Sequence, residues 1–182
     1  MRKIGIPEEK IEPLLKASIY SKWWQELDRG FFEEEEVMKY MQEDAPEYAQ
    51  NIAYFMANGK RDVVEAFDYS AGWLKGLQER GYHTYLLTNY PASYFDLHSK
   101  EKFTFMPYVN GQIVSSYVEM IKPDPNIYRT LLDTYDLKEE ECVFIDDRKE
   151  NVEAAKKLGF HGIRFESYEQ AAGDLEKILA EA

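Results

Sequence analysis

Apolar positions in the first third of the chain recur three or four residues apart: Ile11, Leu14, Leu15, Ile19 and Trp23 fall on one stripe of a helix. This periodicity runs from Pro7 to about Asn58 and predicts an all-helical block. Asp28-Arg29-Gly30 reads as a turn between two of its helices. The run Glu33, Glu34, Glu35, Glu36 opens the next one, where negative charge suits the N-terminal end of the helix dipole, and it is expected to be a solvated helix start. Tyr20, Trp23 and Trp24 are expected to pack helices together rather than to line a pocket. From about Ala66 the pattern changes to short apolar runs alternating with amphipathic stretches, the signature of β-α units and a parallel sheet. Strands are predicted over residues 83–87, 112–116, 142–145 and 161–165. Helices are predicted over residues 125–135 and 148–158 and after the last strand. The expected fold class is therefore α/β, with a helical block over residues 1–65 and an α/β core over residues 66–182.

Gly5 followed by Pro7 looks like the C-cap of one helix and the first turn of the next, yet only four residues precede that cap. The first helix lacks its body, so the natural start is expected upstream of Met1.

Composition narrows the function classes. No segment approaches the ~20 uninterrupted apolar residues of a membrane span. The opening Met1-Arg2-Lys3-Ile4-Gly5 carries no signal-peptide pattern, and the only cysteine, Cys142, cannot form an internal disulfide, so a cytoplasmic location is expected. A net charge of −12 argues against nucleic acid or an anionic membrane as partner, because both need Lys and Arg to neutralise phosphates. It does not forbid a small phosphorylated ligand, which needs only one local positive spot from a lysine, a helix N-terminus or a metal.

Three stretches carry candidate chemistry. Tyr85-Leu86-Leu87-Thr88-Asn89 places a hydroxyl and a carboxamide at the C-terminal end of a buried strand, where open α/β sheets bind ligands, although Thr-Asn also makes an ordinary turn. Lys122, in Ile121-Lys122-Pro123-Asp124-Pro125, sits where two prolines restrict the backbone; a lysine there is either a surface charge or a point charge for phosphate. Val143-Phe144-Ile145-Asp146-Asp147, with Asn151 four residues on, ends a strand in two adjacent carboxylates. These repel each other unless a divalent cation or a helix start compensates. His83, His98 and His161 have no mutual spacing that suggests a metal site and are expected to be structural or surface residues.

Thr88, then Lys122, then Asp146-Asp147 resembles the second, third and fourth motifs of the haloacid-dehalogenase-like superfamily. The wording around Thr88-Asn89, Ile121 to Tyr128 and Ile145-Asp146-Asp147 with Asn151 is similar to its small-molecule phosphatase subgroup. The resemblance implies a Rossmann-like parallel sheet with the N-terminal helices as a cap, a small phosphorylated metabolite as substrate, and Mg²⁺ as cofactor. Thr88, helped by Asn89, would donate to phosphoryl oxygens, Lys122 would neutralise charge, Asp147 with Asp146 would hold Mg²⁺, and Asn151 would orient the acidic loop or Lys122. The family's first motif, a strand ending in Asp-x-Asp whose first Asp attacks phosphorus, has no counterpart before the helical block. The first core strand is thus expected to be missing, which leaves strand edges open to self-association and this chain truncated and inactive.

The alternative is a catalytically silent binding or regulatory protein of the same fold. A phosphate-receiving signalling domain fits less well, since its acidic pair comes first in the chain, and metal-free dehalogenation would leave Asp146-Asp147 without a role.

Overall fold

The computed structural model describes residues 6–181, so the helix cap suggested at Gly5 lies outside the described residues. Contacts divide the chain into two compact units, Met1–Glu119 and Met120–Ala182.

In the first unit the helical periodicity becomes α1 (Glu8–Ala17), α2 (Lys22–Arg29), α3 (Glu34–Asp44) and α4 (Ala49–Asn58). The ends of α2 are set by local chemistry. Ser21 caps it by accepting from the Trp24 N–H, and Gly30 ends it at φ +84°, with its N–H returned to the carbonyls of Glu26 and Leu27. A side chain at Gly30 would also meet the Ser116 carbonyl oxygen at 2.4 Å, so both the backbone angle and the space demand glycine. The stripes of these helices meet in a core of Leu14, Trp24, Leu27, Val37, Met41, Ile52 and Phe55. Each such burial is worth about 1.5–3 kcal/mol against an exposed side chain.

The same unit continues with α5 (Ser70–Glu79), β1 (Tyr85–Thr88), α6 (Ala92–Glu101), β2 (Gly111–Val114) and the single turn α7 (Ser115–Val118). Strands β1 and β2 pair in parallel, Thr88 opposite Val114. Tyr94 of α6 joins the helical core, edge-on to Trp24 at 5.3 Å, so the helical block and the first β-α-β segment share one interior.

Of the aromatic residues expected to pack helices, Trp24 is core, and Trp23 stacks on Tyr40 at 4.5 Å with Phe32 edge-on; Tyr20 is exposed. The glutamate run is more than a solvated start. Glu33 and Glu36 form a capping box, while Glu34 accepts from Lys60 Nζ at 2.7 Å and Ser93 Oγ at 2.8 Å.

The second unit holds α8 (Pro125–Tyr135), β3 (Val143–Asp146), α9 (Lys149–Lys157), β4 (His161–Arg164) and α10 (Tyr168–Glu181). β3 and β4 pair in parallel, Asp146 opposite Arg164, with α9 packed against both. A side chain at Gly162 would meet Val152 and Lys156 side-chain carbons at 2.8 Å, which is why the strand can lie so close to α9. Tyr128, Phe144 and Phe160 pack edge-to-face with centroids 5.3–6.4 Å apart.

Among the described residues the strands form two parallel pairs, β1 with β2 and β3 with β4. No helix among them is long and apolar enough to cross a membrane.

Candidate active site

Of the residues singled out beyond Met120, Lys122, Asp146 and Asn151 come together. Strand β3 carries buried Phe144 inward and delivers Asp146 at its C-terminal end. Asp146 Oδ2 accepts from Lys122 Nζ at 2.7 Å, and the two side chains are only 7% and 9% exposed. Asp146 Oδ1 accepts from the Arg148 backbone N–H and from Asn151 Nδ2, both at 2.9 Å. Removing two charges from water is costly unless each is paired and its remaining hydrogen-bonding capacity is met, and this arrangement meets it for the carboxylate.

Position follows from sequence. Lys122 precedes the cap of α8, where Asp124 Oδ1 accepts from the Asn126 N–H and Pro125 takes the first helical position. The Lys122 ammonium also lies 5.5 Å from the Phe144 ring centroid. Asn151, 2% exposed, is on the buried face of α9 with Val152 and Ala155. Its backbone carbonyl accepts from the Tyr128 hydroxyl at 2.9 Å. Burial first, and then the Asp146 charge, push that phenol well above its ordinary range, so it remains a donor.

Asp147 differs from its neighbour. It is exposed, and its backbone carbonyl rather than its carboxylate receives Arg164 Nε, at 3.4 Å. Asn151 Oδ1 is buried and has no hydrogen-bond partner. One anchored carboxylate, one exposed carboxylate and one buried amide oxygen without a donor are hard oxygen donors of the kind Mg²⁺ takes. That ion is commonly held by one or two carboxylates with water and substrate phosphate completing six positions. In number the set is lean: among the described residues no three His, Cys, Asp or Glu side chains are grouped to hold a metal.

In the first unit Thr88 is the last residue of β1, and the loop after it is fixed by residues the sequence did not flag. The Tyr90 N–H donates to Ser115 Oγ at 2.8 Å, Ser115 Oγ donates to the Asp28 carbonyl at 2.5 Å, and Ser116 Oγ donates to the Tyr90 carbonyl at 2.7 Å. The last turn of α2 and the ends of both strands are thus tied together. The Tyr90 hydroxyl lies 2.8 Å from His98 Nδ1, and His98 Nε2 lies 2.6 Å from the Lys60 carbonyl. His98 is fully buried, which settles the open choice between a structural and a surface role. Its signal was present in the spacing of Tyr94, Phe95 and His98, one buried face of α6.

A protein-family model for haloacid dehalogenase-like hydrolases matches residues 4–159. The chain is 27% identical over 156 residues to a chloroplast flavin mononucleotide hydrolase of Arabidopsis thaliana, covering 85% of this chain and 61% of the relative. It is 28% identical over 181 residues to the bifunctional epoxide hydrolase 2 of Rattus norvegicus, covering 97% of this chain and 32% of the relative. A sesquiterpene phosphatase of Aspergillus oryzae is 33% identical over 91 residues, half of this chain and 45% of that one. The chain thus spans less than two thirds of the length of these relatives. Among solved structures, a HAD family enzyme of Bacteroides thetaiotaomicron superposes with a TM-score of 0.73 at 21% identity, over 96% of this chain and 86% of that one. The same enzyme in complex with magnesium and inorganic phosphate superposes with a TM-score of 0.67 at 22% identity, over 92% and 83%. With an α/β fold of parallel strands and a family match over most of its length, the chain belongs to the haloacid dehalogenase-like hydrolases.

Proposed function

We propose that this chain carries the phosphate-handling part of a Mg²⁺-dependent phosphohydrolase acting on a small phosphorylated metabolite, with residues 1–65 as cap and 66–182 as core. The observation that supports this most is the buried Lys122–Asp146–Asn151 cluster at the end of β3 with an exposed carboxylate, Asp147, beside it. A buried ion pair is an expensive way to hold a fold together, and a neutral filling of similar volume is often as stable. Its retention next to an exposed acid fits a site that handles charge.

In this reading Thr88, with Asn89, donates to phosphoryl oxygens, and Lys122 neutralises negative charge on the phosphoryl group. Asp147, assisted by Asp146, holds Mg²⁺, which supplies charge neutralisation when bound. Asn151 keeps the Asp146 carboxylate turned toward Lys122. The names of two relatives, a flavin mononucleotide hydrolase and a sesquiterpene phosphatase, support phosphate monoesters as the substrate class.

The 182 residues contain no Asp-x-Asp. A carboxylate nucleophile of the family's kind would then have to come from outside them, and the chain alone would bind and stabilise without turnover. That same observation favours, as a second reading, a silent binding protein of this fold.

The test is hydrolysis of aryl and sugar phosphates with Mg²⁺, by the chain alone and by a form extended upstream through a strand ending in Asp-x-Asp. Turnover by the extended form only, lost in Asp147→Ala, supports the enzyme reading. No turnover by either form supports the silent protein. Hydrolysis by the 182 residues at roughly 1 s⁻¹ or more, abolished by Asp147→Ala, would refute the missing nucleophile.

A further inference from the structure

We propose that His98 is a positioning residue for the phosphate-binding loop: it bridges the Tyr90 hydroxyl to the Lys60 carbonyl and so locks the segment Thr88-Asn89-Tyr90 to the helical block. The inference rests on reading Thr88 and Asn89 as phosphate donors.

Three observations carry it. A carbonyl oxygen can only accept, so at 2.6 Å from the Lys60 carbonyl His98 Nε2 must bear the proton. In the neutral ring Nδ1 is then the acceptor, and the Tyr90 hydroxyl at 2.8 Å is the donor. Burial first, and then the Asp28 charge, hold the Tyr90 phenol protonated, which keeps that donor in place.

The backbone of Tyr90 is already tied to the end of β2 through Ser115 and Ser116, leaving its side chain as the link to a different part of the same unit. Lys60, at the far end of the bridge, is itself immobilised. Its ammonium donates to Glu34 Oε2 at 2.7 Å and to Ser93 Oγ at 3.0 Å, and it lies 4.7 Å from the Tyr94 ring centroid. The bridge therefore ends on a fixed point, which holds the Tyr90 side chain in place two residues from Thr88.

The bridge is also sensitive to protons. Charging the imidazole turns Nδ1 into a second donor, so the Tyr90 hydroxyl must rotate and accept instead. Burial opposes the charge most, the ammonium groups of Lys102 and Lys60 oppose it too, and the Glu101 carboxylate and the Lys60 carbonyl favour it. The Tyr90 and Tyr94 rings also pack edge-on against the imidazole, and both phenols stay protonated.

The experiment titrates inorganic phosphate with Mg²⁺ into the ¹⁵N-labelled chain, following amide shifts and amide exchange in wild type, Tyr90→Phe, His98→Ala and His98→Gln at pH 7.5. Tyr90→Phe and His98→Ala should weaken phosphate binding and speed exchange at Asn89 and Tyr90 about five- to tenfold, the loss expected for one buried hydrogen bond. His98→Gln, whose amide offers a donor and an acceptor to the same two partners, should recover most of both. Toward pH 5 the wild type should lose affinity faster than His98→Gln, which reports the titration of phosphate itself.

Tyr90→Phe and His98→Ala matching wild type in affinity and exchange would overturn the proposal, as would a His98→Gln no better than His98→Ala. If wild type binds no phosphate, the reading of Thr88 and Asn89 fails. Exchange at Asn89 and Tyr90 then still decides whether His98 locks the loop.

Discussion

Asp146→Ala is expected to destabilise the second unit severely, and the structure sets the size of the effect. The substitution removes an acceptor from three donors at once: Lys122 Nζ, the Arg148 N–H and Asn151 Nδ2. It also takes the Asp146 carboxylate away from a lysine side chain that is only 9% exposed. Removing one partner of a buried pair costs about 3–5 kcal/mol, a large share of the ~5–15 kcal/mol that holds a domain folded. The Phe144 ring, 5.5 Å from the ammonium, offsets a fraction of that. Lys122→Met should cost less, because Asp146 keeps its two N–H donors. The double variant should cost clearly less than the sum of the singles, since the residues act on each other.

All three tryptophans, Trp23, Trp24 and Trp73, lie in the first unit, so tryptophan fluorescence reports the wrong half of the molecule. The assay is urea unfolding followed by amide exchange in β3 and β4. With a slope of ~1–3 kcal/mol per M, the midpoint of Asp146→Ala should fall by at least about 1 M. A loss below about 1 kcal/mol, or a double variant equal to the sum of the singles, would show that Lys122 and Asp146 do not form the buried pair described.

Three further outcomes are expected. Burial holds His98 below the ordinary imidazole value of ~6.5, so between that value and the lower folded one the unfolded chain binds more protons; stability should be level above about pH 7 and fall as pH drops through ~6.5. His98→Gln should flatten this part of the curve in urea midpoints measured at pH 7.5 and 5.5. Gly30→Ala, at φ +84° and 2.4 Å from the Ser116 carbonyl oxygen, should cost more than about 1 kcal/mol in urea unfolding followed by tryptophan fluorescence, while Gly72→Ala, with open space around it, should not. Calorimetric titration of Mg²⁺ into the chain should give millimolar or weaker binding, because two carboxylates supply only part of an octahedral shell.

Much of this was written in the sequence where local chemistry is strong. The helix predicted over residues 125–135 is α8, set by Asp124 and Pro125 at its start. The other predicted strands and helices fall within about two residues of their observed ends. The differences have physical reasons. β2 ends at Val114 rather than at residue 116 because the Ser115 and Ser116 hydroxyls are taken by Asp28 and Tyr90, turning the chain into α7. That tie joins residues 87 positions apart, and no periodicity reports it. Lys122, Asp146 and Asn151 were legible because a strand end, a restrained loop and a helix face are each local patterns. The unequal surroundings of Asp146 and Asp147 were not, since they depend on which carboxylate the fold turns toward Lys122. The bridge through His98 was hidden for the same reason, because its acceptor is a backbone carbonyl 38 positions away.

The most direct test of the proposed Mg²⁺ and phosphate site is where a divalent ion goes. Mn²⁺ titrated into the ¹⁵N-labelled chain should broaden the amides of residues 146–148 first, be displaced by excess Mg²⁺, and lose this effect in Asp147→Ala. Broadening centred on the glutamate run at residues 33–36, or unchanged in Asp147→Ala, would contradict the account.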